Sequence, residues 1–398
     1  MSLIVIRRAV VVAVLGLVIV GRAASAQGVV SACSYGGATA GQKIAAAIAA
    51  ITSTSTGTTI DARCFTGDTN VIDVPLLINK PVTLLLGQAN FYVQQTITIN
   101  VPKLALPLGQ WQRTVQILGA GVGSTRLQGA TADVNKPTLA IGAAAPAELQ
   151  MGVHIADISF AGSVGSPNGT AIQLTRARDS VLERLTISGY KTSGTAAIAL
   201  YTSSMFNTIR DIRVEDANQG IVLTGGTGND VVNRNLIANA IIALIGPGPG
   251  VRIGPNAQLN TVRDSNFEAN TGQNDVLIEG ETFGTRILDS HFEGCSLTRL
   301  YGVMIASASG VLPRAALLSG LDITGFHDRG VVLMDAMDVK ITQTHFWGMP
   351  GNAGAILAFN STGVGVALTK SGTENQNVCS APTPAMLTQV GSTFPIVP

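Results

Sequence analysis

The sequence predicts an all-β solenoid, with short parallel strands stacked coil upon coil and one helix closing the N-terminal end. Three observations carry this. First, eight stretches can be superposed, around Phe160, Ile187, Val214, Ile237, Phe267, Phe292, Ile323 and Phe346, and each is a β-prone run with a large apolar residue near its end. These anchors recur every 23 to 31 residues, and three runs nearly spell one phrase: IRDIRVE (209–215), VRDSNFE (262–268) and ILDSHFE (287–293). That period is too long for a hairpin meander and too β-rich for helical repeats, and it suits one turn of a solenoid. Second, another ladder keeps nearly the same period, in the runs beginning at Ala171, Ala197, Gly220, Gly250, Asp275, Gly302, Gly330 and Ala355. Third, the 398 residues include 45 glycines, only 12% charged residues and only 5% aromatic ones. Short strands and tight turns use that composition, whereas helical bundles need more Leu, Glu and Lys.

The elements follow in order. Residues 1–26 read as a secretory signal peptide. Arg7 and Arg8 precede an apolar run from Ala9 to Gly21, and Ala24-Ser25-Ala26 offers a small-x-small cleavage site after Ala26. The run is short for a bilayer span, although an uncleaved anchor is the competing reading. Residues 27–60 read as a cap, in which Gly41 to Ile51 places Ile44, Ile48 and Ile51 at helical spacing in an Ala-rich frame. An exposed first coil needs such a lid over its apolar interior and strand edges. Residues 61–368 carry the coils, irregular at first and regular from Gly152. The segments 102–112 and 131–150, rich in Pro and Ala, read as excursions, and GPGPG before Val251 as a turn insertion. From Lys370 onward the pattern lapses, and residues 369–398 read as a tail or terminal cap.

Four cysteines in an exported chain allow two disulfides. Cys33 and Cys64 flank the cap and suit one pairing, which leaves Cys295 and Cys379 to tie the tail to a coil; free buried thiols are the alternative. Loss of the signal takes the formal charge from +1 to −2. So neutral a chain offers no electrostatic footprint for nucleic acid, and after cleavage no segment suits a membrane. In the second ladder the third residue of each strand should face outward. Those residues are Gln173, Ala199, Val222, Arg252, Leu277, Met304, Val332 and Leu357, mostly apolar. Such a stripe implies a cover, either the C-terminal tail or a neighbouring subunit in a homotrimer.

An Ala-rich helix, then TIDAR, then a GAG turn, then recurring I-x-D/N-x-x-F-E and G-I-x-L phrases resemble the right-handed parallel β-helix of the pectate-lyase-like superfamily. The likeness covers roughly residues 35–368. It implies a secreted carbohydrate-active protein, since relatives include polysaccharide lyases, glycoside hydrolases, epimerases and depolymerases, and some members have no known activity. Fold alone does not choose among these. The chain has no Asp-Asp pair and no Gly-His-Gly, so the polygalacturonan hydrolase signature is missing. It also lacks the R-x-P-x-x-R of calcium-dependent pectate lyases. Calcium stays possible as a cofactor, but no metal-ligand spacing identifies a site.

Three constellations remain. Glu215, Glu268 and Glu293 each follow an anchor, with Ala238 read as the matching residue between the first two. Glu268 and Glu293 therefore lie in adjacent coils, where carboxylates can act as acid and base or nucleophile. If Gly302 stacks on Gly330, Arg299 lies beside His327 and Tyr301 beside Arg329, with Asp328 between them. A lyase needs a base, an acid and a cation that neutralises a uronate carboxylate; Tyr301 or His327 suits the first two roles and Arg299 or Arg329 the last. The stack Asp157, Arg184, Asp211, Arg234, Asp264 and Asp289 alternates sign over its first four members and reads as self-neutralising turn chemistry, with cation binding as the alternative. Arg252, after the Pro-Gly insertion, is a substrate-binding candidate together with Asp328. The expectation is a polysaccharide lyase acting by β-elimination. A glycoside hydrolase of the same fold or a non-catalytic surface β-helix are the alternatives.

Overall fold

The structure is a computed structural model that describes residues 28–52, 57–101, 115–130, 133–142, 149–163, 169–294, 301–325, 329–347, 355–367, 370–372 and 387–390. Arg299, His327, Asp328, Cys295, Cys379 and the signal segment lie outside them.

The chain winds as a parallel coil in which each strand pairs with the matching strand one coil on. Register keeps like on like, so the anchors form one inward column. Phe160, Ile187, Val214, Ile242, Phe267, Phe292, Ile323 and Phe346 are successive partners, and all are fully buried. Phe267 and Phe292 stack with centroids 4.6 Å apart and planes 1° from parallel. Ile242 fills the place assigned to Ile237. Ile237 is also buried, but it pairs with Ile209 and Val262, on the other side of a bend.

That bend explains a second column. Between two strand segments of each coil, one residue adopts the left-handed conformation: Asp157, Arg184, Asp211, Asn239, Asp264, Asp289 and Gln343, with φ between 45° and 62°. One such residue turns the corner without breaking the parallel ladders on either side. Asn, Asp and Gly tolerate it best. At Gly320, in the same column with φ of 67°, a Cβ would come within 2.2 Å of Asp289 Oδ1, so glycine is required twice over. Asn239, not Arg234, is the fourth member, and its side-chain amide donates to Asp211 at 2.6 Å. Arg234 lies in a different bend, over the Phe206 ring at 5.4 Å from its centroid.

A buried asparagine ladder stitches three coils. The Asn207 amide N–H and side-chain NH2 both donate to Asn235 Oδ1 at 3.0 Å, and Asn235 repeats the pattern onto Asn260 Oδ1 at 3.0 Å. These polar side chains are satisfied inside an otherwise apolar coil, as burial demands.

Helix Ala40–Ala50 closes the N-terminal end. Thr39 caps it by accepting from the Gln42 amide at 3.2 Å, and Thr39 and Gln42 both donate to Asp73. Ile44, Ala47 and Ile48 face inward. The Cys33–Cys64 disulfide, with Cα atoms 6.4 Å apart, fixes this cap to the coil. At the other end, two short strands continue the ladders past the point where the sequence pattern lapses. Lys370–Gly372 pairs with His345–Trp347, and Leu387–Val390 pairs with Ile356–Phe359.

Among the described residues the second sheet has 12 strands, and its outward column runs in the expected register from Gln173 to Leu357. Ala199, Val222 and Val332 are buried within the single chain, while Leu277, Met304 and Leu357 are half-buried. Leu387–Val390 lengthens this sheet at its edge, so these four residues do not lie across the stripe.

Candidate functional site

Two polar clusters stand out on the outward side of the first sheet. The earlier one centres on Glu183, which is 5% exposed. Its Oε1 meets His154 Nε2 at 3.0 Å and accepts from Arg184 at 2.6 Å, and its Oε2 accepts from Arg210 Nε at 2.8 Å. Arg184 also donates twice to Asp157, at 2.7 and 2.9 Å. Burial by itself raises the Glu183 carboxyl, but the hydrogen bonds from Arg210, Arg184 and His154 outweigh it and hold the group at about 2. A carboxylate so saturated has no lone pair to offer a substrate and no proton to give at neutral pH. The cluster is a structural clasp across three coils.

The later cluster is built differently. It occupies the strands Asn266–Glu268, His291–Glu293, Asp322–Thr324 and His345–Trp347, each with a central residue pointing inward. Strand alternation then turns the flanking residues outward, although Thr324 is covered and donates its hydroxyl to the Phe292 carbonyl at 3.1 Å. One outward column is Asn266, His291, Asp322 and His345; the other register line is Glu268, Glu293, Thr324 and Trp347. Glu268 and Glu293 are therefore in register on neighbouring strands, at the parallel spacing of about 4.8 Å. The residue between Glu215 and Glu268 in this column is Ala243; Ala238 instead pairs with Arg210 and Arg263.

His291 Nδ1 lies 3.3 Å from Asp322 Oδ2. The hydrogen bond to Asp322 raises the imidazole above its ordinary range against the opposing effect of burial, and the charges of Asp322, Glu293 and Glu268 add to the rise. Asp322 is lowered in turn, mainly by His291, with smaller help from the Trp347 N–H and the charge of His345. The Asn266 side-chain amide donates to Glu268. The rings of His345 and Trp347 meet edge to face, 5.9 Å between centroids at 77°. Unlike Glu183, these carboxylates, imidazoles and the indole are only partly covered. The set can supply a carboxylate pair, a proton carrier and an aromatic surface on one accessible face.

Of the residues singled out from the sequence, this face unites Glu268 and Glu293. Tyr301 and Arg329 are register partners, as the Gly302–Gly330 stacking requires, and begin the strands Tyr301–Ala306 and Arg329–Met334 of the second sheet. Arg252 lies elsewhere in that sheet, where its Nε donates to Glu279 at 2.6 Å, so its charge is met within the protein. Sequence reasoning missed His291, Asp322, His345 and Trp347. Their signal was the same alternation that exposed the glutamates, read one residue before each anchor as well as one after. Among the described residues, no group of three or more His, Cys, Asp or Glu side chains is arranged to hold a metal ion, and no helix is long and apolar enough to cross a membrane.

Residues 149–316 match a family model described as the right handed beta helix region. No curated protein matches the chain. Among solved structures, it is similar to DFA-IIIase from Arthrobacter chlorophenolicus A6, at 11% identity and a TM-score of 0.59, covering 93% of this chain and 94% of that one. It is also similar to the family 28 exopolygalacturonase of Yersinia enterocolitica, at 11% identity, a TM-score of 0.50 and coverage of 86% and 78%. A third neighbour is ORF18 of Geobacillus virus E2, at 14% identity and a TM-score of 0.50; the match takes in 92% of this chain and spans 61% of that protein's length. The structural neighbours include carbohydrate-active β-helix enzymes, at identities that speak to fold alone. The chain folds as a right-handed parallel β-helix.

Proposed function

We propose that the protein is an exported carbohydrate-active enzyme that hydrolyses a polysaccharide on the face carrying Glu268 and Glu293. The observation that supports it is the register of those two glutamates on adjacent strands, both outward and partly exposed. Strand spacing of about 4.8 Å is close to the separation of about 5 to 5.5 Å that lets one carboxylate attack the sugar while the other protonates the leaving oxygen. In this reading one glutamate is the nucleophile and the other the acid and base. The His291–Asp322 pair beside them supplies a hydrogen-bond donor to a sugar hydroxyl. The Cys33–Cys64 disulfide and the signal-like first 26 residues support export to an oxidising compartment.

A second reading, β-elimination, is favoured by one observation. Tyr301 and Arg329 are side by side, and Arg299, His327 and Asp328 flank them in sequence. One panel separates the two. Purified protein is incubated with neutral and uronate polysaccharides, and both new reducing ends and the ultraviolet absorbance of an unsaturated product are followed. Reducing ends without absorbance support hydrolysis; absorbance on a uronate polymer supports elimination. Silence in both across the panel overturns the enzyme reading.

A further inference from the structure

The same face carries an inference about what it binds, and it rests on the reading of that face as the site of cleavage. The two outward columns of its four strands hold three acids, Glu268, Glu293 and Asp322, and two histidines, but no arginine or lysine. A polyuronate carries a carboxylate on every sugar and needs a file of cations along its path. Here the path is lined by carboxylates, and each would repel the polymer at short range.

Trp347 adds a direction. It stands in the column of the two glutamates, two strands beyond Glu293, with Thr324 between. That places it roughly 10 Å along the coil axis from the carboxylate pair, at the parallel-strand spacing. Sugars in an extended glycan repeat at nearly the spacing of parallel strands, so each sugar covers about one coil. The indole is half-buried. It is braced by the edge-to-face contact with His345 and by its N–H toward Asp322. A braced, partly open indole offers an apolar surface to the C–H face of a pyranose or furanose ring, at little cost in side-chain freedom. Thr324 in between is buried, its hydroxyl donating to the Phe292 carbonyl at 3.1 Å, so the sugar contacts fall to the glutamate pair on one side of it and the indole on the other.

We propose that this face binds an uncharged glycan laid along the coil axis, with one sugar seated on Trp347 two coils from the Glu268–Glu293 pair. The chain has two tryptophans, so Trp111→Phe leaves Trp347 as the sole indole. In that background, neutral oligosaccharides are expected to change the tryptophan emission on titration, while uronate oligosaccharides of equal length leave it unaltered. In affinity electrophoresis on the bound polymer, Trp347→Ala is expected to weaken retention by about tenfold or more, and Trp347→Phe to keep most of it. A circular dichroism spectrum matching the parent excludes misfolding as the cause. Uronate oligomers that bind as tightly as neutral ones overturn the substrate class. Hydrolysis of a neutral glycan with unchanged Trp347 emission leaves the catalytic reading standing and overturns the platform. Absence of both binding and cleavage overturns both.

Discussion

Replacing Glu183 with Gln tests the electrostatic account of the coil in a quantitative way. Glu183 is held at about 2 against an ordinary 4.5. Taken at face value, that difference corresponds to about 3 kcal/mol of preference for the ionised, folded form. The Arg184 and Arg210 side chains are 46% and 50% exposed, and water screens exposed charges, so about 1 to 2 kcal/mol is the figure to expect. Gln keeps the volume but turns an NH2 group toward donors. The sign follows from the depressed folded value. The contribution is fully present above the unfolded value near 4.5 and is lost as pH falls through about 2. Urea denaturation followed by far-ultraviolet circular dichroism should therefore show the variant less stable by about 1 to 2 kcal/mol at neutral pH. The gap should close progressively below pH 4.5, toward pH 2. Asp157, which Arg184 lowers in the same way, titrates in both proteins and largely cancels. A gap that stays constant down to the acid limit, or no gap at neutral pH, refutes the reasoning.

Three further outcomes are expected. Asn235→Ala orphans the buried Asn207 amide and cuts the ladder to Asn260, so a loss of about 2 to 4 kcal/mol in a denaturant titration is expected; a loss below half that range would mean water or a neighbour replaces the side chain. Asp322→Asn removes the main cause of the raised His291 value, so an NMR titration of the His291 ring should show its midpoint fall, and an unmoved midpoint would contradict the pairing. Cys64→Ser opens the clasp between cap and coil and should cost about 2 to 4 kcal/mol under oxidising conditions, while leaving the reduced proteins equally stable.

Much of the coil was legible in the sequence because register turns one-dimensional periodicity into spatial neighbours. The second-sheet column from Gln173 to Leu357 and the Tyr301–Arg329 pairing came directly from counting. The count slipped in one coil. In LIANAIIA, both Ile237 and Ile242 point inward, on either side of the bend at Asn239. Periodicity sees two apolar residues of equal merit there. Only the left-handed residue between them says which belongs to which ladder, and that slip carried Ala238 and Arg234 with it. The candidate face was partly legible. Glu268 and Glu293 were visible because they repeat as Phe-Glu. His291, Asp322, His345 and Trp347 share a column but not a residue type, so no repeat announces them, although the alternation of a strand does. The terminal strands were hidden for another reason. Lys370–Gly372 and Leu387–Val390 carry no phrase of their own and are recruited by an edge that needs a partner.

The central claim is that chemistry occurs on the Glu268–Glu293 face. The most direct test compares kcat/KM for Glu268→Gln, Glu293→Gln, Tyr301→Phe and Arg329→Ala on whichever polysaccharide the wild type degrades. Each glutamine variant is predicted to lose at least about 100-fold, with the other two within about tenfold of wild type. Near-normal turnover in both glutamine variants, with collapse in Tyr301→Phe or Arg329→Ala, would contradict the account and move the active site to the second-sheet edge.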